Sequence, residues 1–219
     1  MNPPSQPTTA SPAFDTPARW SGSAAGSAQW IPDAKTIESP SRTTGGRDGD
    51  SVIFDGPGGE RPVAIEIAGC RFELHPAEGV ETLPVADEQY IVGDTLHVNY
   101  PQGITRFAMR LAMDVVHWSH DAIAIECRVS VQTDLLDSHP RLMLRPCDER
   151  SAVLLDAADR HHTIGRDGQF ELFGDFLEKG VIRRARPWLV ATPSGHPVDA
   201  SVRDTLQAQL ERTPVSLGP

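Results

Sequence analysis

The chain has 219 residues, 39% hydrophobic and 23% charged, which suits one domain of ordinary size, and no apolar run nears the roughly 20 residues of a membrane-spanning helix. Thirty acidic residues against 20 Lys and Arg give a formal charge of −10, which argues against a nucleic-acid-binding protein because phosphate backbones are held by basic residues. Three cysteines, Cys70, Cys127 and Cys147, with no Cys-x-x-Cys pair, exclude a disulfide framework, a zinc ribbon and a thioredoxin-like site.

The first residues, Met1-Asn2-Pro3-Pro4-Ser5, carry neither a basic region nor an apolar one, so no secretory signal is expected and the cytoplasm is the expected compartment. Of residues 1–50, 32 are Pro, Ser, Thr, Gly or Ala, and the apolar residues stand apart. Such a stretch buries too little apolar surface to offset its ordering entropy, which predicts a disordered tail over 1–50. Trp20 and Trp30 are then solvated strays or anchors for a partner or for the body.

Residues 51–219 read as an all-β domain. Val63, Ile65 and Ile67 alternate, Gly69 interrupts, and Cys70, Phe72 and Leu74 resume on the other parity, which marks a turn or bulge at the glycine. Further strands are expected at 88–92 and 95–99. Phe107, Met109, Leu111, Met113 and Val115 then alternate with Ala108, Arg110, Ala112 and Asp114. After the polar turn Trp118-Ser119-His120-Asp121 the pattern resumes, with Ile123, Ile125, Cys127, Val129 and Val131 on one face and Glu126, Arg128, Ser130 and Gln132 on the other. Two period-2 runs about a tight turn predict a long antiparallel hairpin, one face in a core and the polar face toward water.

Strands are also expected at 141–145, 152–156, 160–164 and 169–173. Asp175 and Glu178 have capping-box spacing, but Gly180 favours a turn at 178–180 and a strand from Val181 to Val190. Asp199 caps a short helix carrying Val202, Leu206 and Leu210. About nine strands and one short helix define an antiparallel β-sandwich.

Three constellations carry possible chemistry. In an extended segment ending at Pro140, Asp137 and His139 share a side, where a carboxylate orients an imidazole as a general base requires, while Ser138 faces away. Arg184, Arg186 and Trp188 share one face of a strand, two guanidinium forks beside an indole, suited to a phosphate, a carboxylate or a sugar. The histidines give a weak metal signal, since His161 and His162 point apart on a strand and His117 and His120 meet only within a turn. No metal or cofactor is therefore expected. Phosphate-loop, nucleophile-elbow and His-Glu-x-x-His motifs are absent.

The leading expectation is a non-catalytic sandwich module that binds a small anionic or sugar ligand, or a partner protein, through Arg184, Arg186 and Trp188, with neither nucleic acid nor membrane as partner. On that reading Arg186→Ala weakens binding and leaves folding intact. The alternatives are a hydrolase or sugar isomerase using Asp137 and His139, and an assembly domain pairing through strand edges.

Overall fold

The computed structural model describes residues 19–24, 26–32, 51–77, 82–166, 168–174 and 176–214. In chain order the strands are β1 (Arg19–Ala24), β2 (Ser27–Ile31), β3 (Val52–Asp55), β4 (Gly58–Gly59), β5 (Val63–Ile67), β6 (Cys70–Pro76), β7 (Leu83–Val85), β8 (Glu88–Val92) and β9 (Thr95–Tyr100). They continue with β10 (Ala108–Trp118), β11 (Ile123–Gln132), β12 (Leu142–Pro146), β13 (Ser151–Leu154), β14 (Ile164–Arg166), β15 (Gln169–Leu172), β16 (Ile182–Ala185) and β17 (Trp188–Ala191), and α1 (Ala200–Arg212) follows.

One sheet has the order β1-β2-β3-β5-β6-β12-β15-β14. The other runs β13-β17-β11-β10-β9-β8, with β16 also on β11, and β4 pairs with β7 apart from both. All pairings are antiparallel, and neither sheet closes into a barrel. The strands outnumber the nine expected because several are two to four residues long, too short to show a period.

The expected hairpin is β10–β11, with Met109 opposite Val131 and Leu111 opposite Val129. Its odd positions lie in the main core against Phe54, Ile65, Phe72 and Leu144. The β5–β6 turn has both central residues at positive φ, Ala68 at 50° and Gly69 at 74°, a primed hairpin turn that accounts for the change of parity there. Gly180, at φ 78°, forms the expected turn, with Val181 N–H donating to the Glu178 carbonyl at 3.1 Å.

Four expectations are revised. Within 1–50, residues 19–31 form the β1–β2 hairpin, which adds two strands beside β3; Trp20 and Trp30 are 5% and 3% exposed, and Trp30 packs on Trp118 with ring centroids 4.4 Å apart. Burying an indole removes about 150–250 Å² of surface, worth about 4–6 kcal/mol at 25 cal/mol/Å², enough to let two tryptophans hold a Ser/Gly/Ala-rich hairpin. The rest of 1–50 lies outside the described residues. The 160–164 stretch is a 3-10 turn at Asp159–His162 followed by β14. The 181–190 strand is split at Arg186-Pro187 into β16 and β17, because Pro187 has no N–H to give the ladder.

Finally, the polar face of β10–β11 is not open throughout. Asp199 caps α1 as expected, accepting from Ser201 N–H at 2.8 Å, and Leu206 and Leu210 pack on Ala122, Ala124, Leu154, Trp188 and Val190. The small side chains at 122 and 124 let a helix lie on the outside of the second sheet, making a second, smaller core there.

Candidate functional site

Asp137 and His139 do meet, with Oδ1 and Nε2 3.3 Å apart. Their loop is anchored beneath them: Thr133 and Ser138 hydroxyls donate to the Arg106 carbonyl, and Leu177 N–H donates to the Ser138 carbonyl at 2.9 Å. Ser138 is buried and turned from the imidazole. The pair itself is open to water, 75% and 54% exposed, and His139 meets the edge of Phe176. Among the described residues no third His, Cys, Asp or Glu side chain gathers with it, and the Arg106 guanidinium donates to the Asp137 carbonyl at 2.9 Å.

Arg184, Arg186 and Trp188 do not form one exposed face. Arg184 is exposed on β16, whereas Arg186 and Trp188 are 4% and 1% exposed. Arg186 donates to Asp156 Oδ2 at 2.5 Å, to the Thr213 carbonyl at 2.9 Å and to the Leu210 carbonyl at 3.2 Å, with Glu126 Oε2 at 3.7 Å. It is a cation seated at the carbonyl end of α1, where helix dipole and unsatisfied carbonyls favour it. The Ala158 N–H first, and then the Arg186 guanidinium, hold the Asp156 carboxyl below its ordinary range against the opposing effect of burial. Trp188 Nε1 donates to Glu126 Oε2 at 3.1 Å. Both residues fasten α1 to the sheet, and neither is available to a ligand.

The histidines are likewise separate. His117 pairs with Ser119 and His120 with Asp121; the side chains of His161 and His162 lie outside the described residues. Among the described residues no three His, Cys, Asp or Glu side chains gather as a metal site would need.

A different set comes together on the part of the second sheet that α1 leaves open. Register places Glu88, Asn99, Arg110, Ser130 and Arg184 side by side across β8, β9, β10, β11 and β16. The next row is Tyr90, His97, Ala112 and Arg128. Several arginines elsewhere on the sheets are matched by acids, Arg71 with Glu73, Arg141 with Glu171, and Arg128 with Asp114 and Glu126, while Arg145 donates to the Gln169 amide oxygen. Arg110 and Arg184 are exposed and have no acidic partner among the described residues, and the Ser130 hydroxyl between them makes no hydrogen bond there. Two strand spacings put the two arginine backbones about 10 Å apart.

Beside this belt the Tyr90 and His97 rings stack at 4.9 Å with planes 8° apart. Burial first, and then the Arg128 guanidinium, push the His97 imidazole below its ordinary pKa, so the ring is neutral at pH 7. Ala112, half-buried between His97 and Arg128, leaves a low floor. Sequence reasoning put Arg110 and Ser130 on the solvent side of the hairpin without pairing them. Counting back from the 119–122 turn would have set Arg110 opposite Val131; a bulge between Val115 and His117 shifts the register by one and brings Arg110 opposite Ser130.

The fold and this face define an antiparallel β-sandwich with an outer, helix-braced sheet and an arginine-bearing open face. Comparison with protein-family models, with characterised proteins and with solved structures finds no match to this chain.

Proposed function

We propose that the chain is a non-catalytic binding module that takes an anionic ligand on the open outer face of its second sheet. The observation that supports this is the belt Arg110–Ser130–Arg184: two guanidiniums without acidic partners among the described residues, on a protein with ten more acidic than basic residues. With so many carboxylates available, an arginine left over on a rigid sheet has its donor fork ready for an incoming carboxylate, sulfate or phosphate. The strands fix the two backbones before binding, so only the two side chains need ordering. Of the three residues first singled out for ligand contact, Arg184 belongs to this face and Arg186 and Trp188 brace it from the side.

The test is a thermal-shift titration of the whole chain with sulfate, phosphate and succinate. An anion at about 100 times its dissociation constant adds about 2.7 kcal/mol, a rise of several degrees. The rise should disappear in Arg110→Gln and Arg184→Gln. No rise with any of the three anions, or one that both variants retain, refutes the function.

A further inference from the structure

We propose that the anion comes on a polysaccharide, a chain of sugars bearing carboxylate or sulfate groups that crosses the strands with one charged group on Arg110 and another on Arg184; this rests on the belt being the anion-binding face. Both arginines are exposed on an open sheet face, so a single small anion there keeps much of its water and binds more weakly than a ligand that engages both. The two backbones stand about 10 Å apart, close to the length of two linked sugar rings, so each fork can hold a separate charged group. A ligand with charges at that repeat engages both forks at once, and the second contact becomes intramolecular.

The uncharged parts of the face suit sugars as well. Ser130, between the arginines, offers a hydroxyl with no hydrogen bond among the described residues. Arg110 lies diagonally across from His97, about 8 Å away, within reach of one ring and its substituent. The Tyr90–His97 stack beside the low floor at Ala112 gives the apolar C–H face of a sugar an aromatic surface, with Tyr90 40% exposed. A nucleic acid also carries repeated anions, but its dense charge would meet a protein of net charge −10 with two arginines to spare in the belt.

The experiment is a binding titration of the full chain with polygalacturonate and heparin, with dextran as the neutral polymer, a single-stranded DNA oligonucleotide as the other polyanion, and inorganic sulfate. At least one acidic polysaccharide should bind and dextran should not. Arg110→Gln and Arg184→Gln should each weaken that binding tenfold or more, and Tyr90→Ala should weaken it several-fold without altering sulfate binding. All three side chains are exposed, so each variant should melt like the parent. If sulfate binds through the two arginines as tightly as the polymers, the polysaccharide falls and the anion-binding function stands. If neither sulfate nor any polymer binds, both fall. DNA binding as tightly as the acidic polysaccharides overturns the proposal in favour of a nucleic acid.

Discussion

Replacing Arg186 by Met tests the structure most directly, because the sequence alone makes it a ligand contact and the fold makes it an internal brace. Methionine keeps much of the aliphatic length and removes the guanidinium. The loss strands Asp156 and Glu126, whose side chains are 16% and 10% exposed, and takes one donor from the Leu210 carbonyl and the Arg186 donor from the Thr213 carbonyl. Breaking a buried ion pair from one side costs about 3–5 kcal/mol. At about 2–4 °C per kcal/mol for a domain of 150–250 residues, Tm falls by about 6–20 °C. Hydrogen exchange should show the last turns of α1 losing protection first, since their carbonyls are the ones released. Adding Asp156→Asn, which removes the stranded charge and keeps an acceptor for Ala158 N–H, should recover part of the loss. A variant that melts within about 2 °C of the parent with α1 still protected would refute the brace.

Trp188→Phe keeps the ring in the second core but takes the donor from Glu126, and should cost about 1–3 kcal/mol in a denaturant titration. The His97 resonance should titrate below 6.5, and Arg128→Ala should raise its midpoint by removing the neighbouring cation. Because the folded-state pKa is the lower one, stability linked to His97 is present above about pH 6.5 and declines as pH falls through that value, and His97→Gln should flatten this part of the pH profile. Burial pushes the Cys127 thiol up to about 12 and, with Asp148 adding to it, the Cys70 thiol to about 11. Exposed Cys147 should therefore be the thiol that reacts with a disulfide reagent at pH 8 in the native state, and the other two only on unfolding.

Legibility in the sequence followed how local the deciding contacts are. The β10–β11 hairpin was readable because ten odd positions between Phe107 and Val131 carry the burial, whereas the bulge between Val115 and His117, which brings odd positions opposite odd, was not. Helix α1 was readable from Asp199 and two leucines one turn apart. The β1–β2 hairpin was not, because its stability comes from two indoles that pack on residues such as Trp118 far along the chain. Burial of Arg186 was equally hidden: its partners lie 24 to 60 residues away and include backbone carbonyls, which no side-chain pattern announces. The belt needed pairing across β16, β11 and β10, and it is the cover of α1 over Arg186 and Trp188 that separates them from Arg184 on the same sheet face.

The N-terminal hairpin also decides where the smallest stable piece of this protein begins. A fragment starting at residue 51 would leave the β3 backbone without the ladder that β2 supplies, and would uncover the ring of Trp118. An unprotected strand edge beside bare aromatic surface is a template for pairing between chains. Trimming at the compositional boundary would thus give a sticky, self-associating product, whereas a cut ahead of Arg19 keeps that seam closed.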